Sequence, residues 1–162
     1  MNQLVFEAAD EAATRAFGAA LADVLPPGTT VALRGTLGAG KTRLVQAVAA
    51  ACGVPAGEVI SPSFVLIQEY YGQRQLYHID AYRLRDEQEF LELGPEEYFD
   101  SQAITFVEWA DRVAQCLPQQ RLEIEIEVTG QHSRRFVISA SGAALQDIPT
   151  KLEQLLSAQG LV

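Results

Sequence analysis

From Gly35 to Thr42 the chain reads Gly-Thr-Leu-Gly-Ala-Gly-Lys-Thr, the spacing G-x-x-x-x-G-K-[ST] of a phosphate-binding loop. The residue types explain the chemistry. Gly35, Gly38 and Gly40 allow turns that a Cβ would obstruct. The backbone N–H groups of the loop, with Thr36, Leu37 and Ala39 between the glycines, can then converge on phosphate oxygens. Lys41 brings a point charge to the outer phosphates, and the hydroxyl of Thr42 is a ligand for Mg²⁺. Such a loop does not hydrolyse anything alone. Hydrolysis also needs an acidic group near the metal and a group that orients water.

Two carboxylates are candidates for those tasks. Glu108 ends the largely apolar run Ala103-Ile104-Thr105-Phe106-Val107, where a parallel-sheet ligand site opens. Asp is usual at this spot, and the extra methylene of Glu108 gives reach to Mg²⁺ directly or through water. The bland alternative is a surface Glu at a strand end. Asp80 ends the run Gln75-Leu76-Tyr77-His78-Ile79-Asp80, with Leu76, His78 and Asp80 on one face by period-two alternation. It either caps a turn or begins a switch-like segment, 80–85, that closes on the outer phosphate. His78 is read as structural, or as a hydrogen-bond partner that orients Asp80. Tyr82 and Arg83 are balanced between packing and phosphate or partner contact. Trp109 is assigned to core packing. Arg134 and Arg135 are read as solvated, unless their loop folds over the nucleotide. Loop 130–135 and the N-terminal residues are candidates for adenine contacts.

Several elements must position these groups. Thr29 to Leu33 is a short β-branched strand before the loop, and Leu44, Val45, Val48 and Ala49 mark the helix after it. Leu4-Val5-Phe6 is a first strand. Asp10 heads a helix whose stripe is Ala13, Phe17, Leu21 and Leu25, stopped by Pro26-Pro27-Gly28. Residues 65–71 and 75–80 read as an antiparallel hairpin around Gly72-Gln73-Arg74. Asp86 caps a short helix through Leu93, Glu96 to Phe99 forms one turn, and Asp111 to Cys116 a further short helix. Leu122, Ile124, Ile126 and Val128 alternate with glutamates, and 135–139 returns as the hairpin partner. Ile148, Leu152, Leu155 and Leu156 mark the last helix. The fold class expected is α/β: a P-loop NTPase-like three-layer fold, with a mostly parallel central sheet, 29–34 beside 103–108, and antiparallel hairpin additions. Residues 1–162 are expected to form a single domain.

The net charge is −9 and the pI about 4.6. Nucleic-acid binders are usually basic on at least one face, so direct, strong nucleic-acid binding is disfavoured. No apolar run approaches the ~18 residues of a membrane span, and no signal peptide is expected at the N-terminus. Cys52 and Cys116 lack metal-ligand spacing and are read as small buried hydrophobes in a reduced cytosol.

Four segments together resemble the TsaE family (also called YjeE) of bacterial P-loop ATPases. They are Gly35 to Thr42, Ser61-Pro62-Ser63-Phe64, His78-Ile79-Asp80-Ala81-Tyr82-Arg83 and Val107-Glu108-Trp109, in family-like order and separation. The last two are the most discriminating, and Ser63 keeps the hydroxyl of the Thr common in the family. The resemblance implies a cytoplasmic protein that binds ATP and Mg²⁺ and hydrolyses ATP in complex with TsaB and TsaD. Its part would be in making threonylcarbamoyladenosine at position 37 of tRNAs. It implies that Lys41 and Thr42 bind phosphate and Mg²⁺, that Asp80 belongs to a first switch-like segment, and that Glu108 assists metal and water. With no evident arginine finger, the isolated chain is expected to be a slow ATPase. A small-molecule P-loop kinase and a nucleotide-gated binding protein with negligible hydrolysis are the competing readings.

Overall fold

A computed structural model describes residues 2–36, 38–55, 57–59 and 66–162. Leu37 of the phosphate loop, Ser61-Pro62-Ser63-Phe64 and Val65 at the start of the expected hairpin lie outside the described residues.

The strands are β1 (Gln3–Ala8), β2 (Thr30–Arg34), β3 (Ile67–Tyr71), β4 (Gln75–Asp80), β5 (Ile104–Glu108), β6 (Arg121–Val128) and β7 (Arg134–Ser141). They form one mixed sheet in the order β1-β7-β6-β2-β5-β4-β3. The central four, β6, β2, β5 and β4, run parallel. Antiparallel strands complete both edges: β7 and β1 on one side, β3 on the other. The expected neighbourhood of 29–34 and 103–108 is met, with Val31 opposite Phe106 and Leu33 opposite Glu108.

Alternation along the parallel strands builds a core on each face of the sheet, giving three layers. Val31 and Leu33 of β2, with Phe106 of β5, enter the larger core. Ala32, Val107 and Ile79, one residue out of phase, enter the smaller one. The larger core is covered by α1 (Glu11–Val24), α2 (Lys41–Ala51) and α5 (Ile148–Ala158). Phe17 of α1 stacks on Phe136 and Phe6, with centroids 4.7 and 5.1 Å apart. α1 and α2 approach so closely that a Cβ on Gly18 would stand 2.4 Å from Ala47 Cβ. The smaller core is covered by α3 (Glu87–Leu91) and the 3₁₀ segment Ala110–Cys116, with Phe90 and Val113 buried between them. α4 (Glu96–Phe99) is the single turn expected there.

Local chemistry sets the helix limits. Asp10 Oδ1 accepts from Ala13 N at 2.8 Å, and Asp86 Oδ1 from Glu89 N at 2.9 Å, each capping a helix start. α3 stops at Leu91, two residues before the expected Leu93. In β6, Leu122, Ile124 and Ile126 are buried as expected, whereas Val128 is exposed at the strand's end. Cys52 is buried and Cys116 half-buried, neither in a disulfide. Burial, and Glu87 beside it, push the Cys116 thiol up to about 11. Among the described residues no helix is long and apolar enough to cross a membrane.

Candidate phosphate site

The chain leaves β2 at Arg34 and must pass close under β6. A Cβ on Gly35 would lie 2.9 Å from Ile126 O, so this position needs glycine. Gly38 and Gly40 take left-handed φ values of +81° and +106°. Ala39 N donates to Thr36 O at 3.0 Å and tightens the loop. α2 begins at Lys41, with Gly40 as its N-cap and no side-chain capping bond. The first N–H groups of α2 and the positive end of its dipole thus face the loop's concavity.

Lys41 is only 4% exposed. Its Nζ donates to Gly35 O (2.8 Å) and Thr36 O (3.0 Å) and stands 4.0 Å from the centroid of the Trp109 ring. Burial lowers its pKa from the ordinary lysine value, against the pull of Glu108, Asp80 and Asp111.

The parallel register brings the two carboxylates together. Asp80 and Glu108 are direct partners at the ends of β4 and β5, and each is 4% exposed. Glu108 is therefore no surface residue. Its Oε2 accepts from Thr42 Oγ1 at 3.0 Å and from His78 Nε2. Asp80 meets the turn-capping reading. Its Oδ1 accepts from Tyr82 N at 2.8 Å, capping the turn, and it also lines the cavity over the loop. Burial raises its pKa, Glu108 adds to the rise, and the Tyr82 N–H, His78 and Lys41 oppose it.

Three expectations need correction. His78 bonds Glu108, not Asp80, because Glu108 on the neighbouring strand reaches back along the same face. Trp109 is not simply core. It packs against the smaller core, yet it is half-buried, takes a left-handed φ of 59° and covers Lys41. The Tyr82 ring packs against it at a tilt, centroids 4.9 Å apart, and Arg112 lies 5.3 Å over the Tyr82 ring. Arg134 is half-buried and not merely solvated: its Nε donates to Ala39 O of the phosphate loop at 2.9 Å, and its Nη1 to Gly130 O and Ser133 O. Arg135 does stay away from the site, paired with Glu7 and Glu127.

These groups surround a cavity of about 760 Å³ that extends from the loop between α1 and the turn before β7. Thr14, Arg15, Gln46 and His132 line its far part. His132, in loop 130–135, the candidate for adenine contacts, thus lies along the cavity wall; Thr14 and Arg15 carried no sequence signal, since their place depends on how α1 crosses α2. Arg83 also lines the cavity. Among the described residues no group of three or more His, Cys, Asp or Glu is arranged to hold a metal. Mg²⁺ does not require one, since it keeps water and takes one or two protein oxygens beside phosphate. The adjacent hydroxyl of Thr42 and carboxylate of Glu108 are hard oxygen donors of that kind and fit it.

A glycine-rich turn between a central parallel strand and a helix, on a three-layer α/β sheet, makes this a P-loop NTPase-like protein. Residues 8–136 match the family model described as threonylcarbamoyl adenosine biosynthesis protein TsaE. The TsaE protein of Bacillus subtilis is 39% identical over 143 residues, covering 88% of this chain and 89% of its own. That of Synechocystis is 44% identical over 125 residues, covering 74% and 77%. The crystal structure of Bacillus subtilis YdiB superposes with a TM-score of 0.78 at 32% identity, covering 98% of this chain and 97% of that one. The chain belongs to the TsaE family, the tRNA threonylcarbamoyladenosine biosynthesis proteins.

Proposed function

We propose that this chain binds ATP with Mg²⁺ at Gly35 to Thr42 and hydrolyses it during formation of the threonylcarbamoyl group on adenosine 37 of tRNAs. It acts in the cytoplasm with TsaB and TsaD, and residues 1–162 work as one domain. The contact between Thr42 Oγ1 and Glu108 Oε2 supports this reading most directly. It joins the last residue of the phosphate loop to an acidic group on the neighbouring parallel strand.

The loop N–H groups and the start of α2 bind the phosphates. Lys41 exchanges the carbonyls of Gly35 and Thr36 for phosphate oxygens. Thr42 and Glu108 would hold Mg²⁺, which would offset the charge of the phosphates and of the carboxylates. Asp80 orients the attacking water, and burial raises its pKa above the ordinary carboxylate value, which favours its accepting a proton. The guanidinium of Arg134 is committed to three backbone carbonyls, so it is a poor arginine finger. Turnover by the isolated chain is therefore slow, and partner proteins complete the site. A net charge of −9 suits protein partners better than RNA.

The test is ATP binding and turnover by the intact chain, with Mg²⁺ and with chelator, alone and beside TsaB and TsaD. The expected result is Mg²⁺-dependent binding, slow turnover alone and faster turnover with both partners. Stoichiometric phosphorylation of a small acceptor, or turnover that ignores the partners, would overturn it.

A further inference from the structure

The mechanism above makes no use of His78, a fully buried imidazole two residues before Asp80. Its Nε2–H donates to Glu108 Oε2, the same oxygen that accepts from Thr42. Its Nδ1 lies 3.1 Å from the hydroxyl of Tyr70, which is 3% exposed on β3 and in turn touches Gln68 Oε1. A continuous line of side chains thus runs from the edge strand, across β4 and β5, to the first turn of α2.

Burial gives this line its force. A buried carboxylate without donors is costly, so Glu108 needs the donors around it. The glutamate side chain also has one more rotatable bond than aspartate, so its head needs fixing. The imidazole supplies a donor at a fixed point, and Tyr70 fixes the imidazole at its other nitrogen.

We infer that His78 is the positioning residue of Glu108: backed by Tyr70, it holds the carboxylate against the Thr42 hydroxyl. The role rests on the proposed reading of Thr42 and Glu108 as the Mg²⁺-binding pair. It assigns Tyr70 as the support of His78.

Two measurements on the full chain test it. The first needs no nucleotide. Nitrogen–proton NMR of the imidazoles should show a His78 Nε2–H protected from solvent exchange, which shifts in Glu108→Gln and, less, in Tyr70→Phe. No shift in Glu108→Gln would overturn the positioning itself. The second is ATP affinity by calorimetry as a function of Mg²⁺. His78→Leu keeps shape but has no donor, and should need about tenfold more Mg²⁺ or beyond, as outer partners of metal ligands do. His78→Gln, whose amide N–H reaches about as far as Nε2, should stay within roughly threefold of the parent. Affinity without Mg²⁺ should not change in either. If both variants are equally impaired, His78 is packing only and the inference fails; it fails too if neither changes. Tyr70→Phe, which leaves the imidazole in place, should move in the direction of His78→Leu by a smaller factor. A parent protein with no Mg²⁺-dependent ATP binding would instead overturn the phosphate-site reading on which the role depends.

Discussion

Asp80 and Glu108 are paired residue for residue at the carboxyl ends of two adjacent parallel strands, each with only 4% of its surface exposed. The Glu108 carboxylate beside Asp80 adds to the rise of the Asp80 pKa that burial begins. The nearby cation, Lys41, is itself buried and turned onto the loop's carbonyls. The site is thus a place where the fold gives up stability.

That cost has a pH signature. Burial, then Glu108, raises the Asp80 pKa from the ordinary 3.8. In the pH window above that value the folded protein holds a proton that the unfolded chain has released. Stability is therefore lost as pH rises through the window. Asp80→Asn removes this loss and keeps an oxygen for the Tyr82 N–H. The variant should melt higher than the parent at pH 7, and the difference should shrink below about pH 4. Thermal melts across this range check it, and a lower melting temperature at pH 7 would contradict it.

The same two residues should serve turnover more than affinity. A carboxylate repels phosphate unless Mg²⁺ lies between them, so direct ground-state contact is disfavoured. In Asp80→Ala and in Glu108→Ala, partner-stimulated kcat should fall by roughly 10²-fold or more, with ATP affinity reduced much less. Turnover surviving in both variants would remove the assigned roles. Affinity collapsing together with turnover would leave them as metal ligands alone.

Arg134 and Arg135 are neighbours with opposite consequences. Arg134 ties the turn before β7 to Ala39 O in the phosphate loop. Arg134→Ala should weaken ATP binding by roughly tenfold, the scale of one lost charge-assisted hydrogen bond. Arg135 pairs with Glu7 and Glu127 at the surface. Arg135→Ala should leave ATP affinity alone and change the melting temperature little, as exposed ion pairs contribute little. Calorimetry and melting of the two variants decide it, and equal ATP affinities would refute the tie.

The contrast between these arginines shows where sequence reading stops. The phosphate loop, its strand and its helix are legible because their signals are local: glycines at turns, β-branched residues in β2, helical spacing in α2. Glu108 was also within reach, since an acidic residue ending a buried run marks the open end of a parallel sheet. The partner of His78 was not. Alternation placed His78 and Asp80 on one face, but only the β4–β5 register shows Glu108 intervening. Arg134 meets Ala39 across 95 positions of chain, and no periodicity encodes that contact. Trp109 was taken for core because tryptophan usually is. Its left-handed backbone, which turns the ring over Lys41, has no signature in a non-glycine residue.

Trp109 is the only tryptophan, so the contact with Lys41 can be read directly. The ammonium lies 4.0 Å from the ring centroid, close enough to perturb its emission. Phosphate binding should draw Lys41 away, because the loop carbonyls and the ring together offer it less than phosphate oxygens do. Tryptophan emission should therefore change on titration with Mg²⁺ and ATP. Lys41→Ala should differ from the parent before any nucleotide is added, and it should respond less. Its ATP affinity should fall by roughly tenfold or more, since a hydrogen bond to a charged group is worth about 1.5–3 kcal/mol. Trp109→Ala removes an attraction worth about 0.5–2 kcal/mol from the ligand-free state only, so its effect on ATP affinity should be small or favourable. Parent emission unmoved by saturating ATP would mean that Lys41 stays under the ring. Unchanged affinity in Lys41→Ala would remove the phosphate assignment altogether.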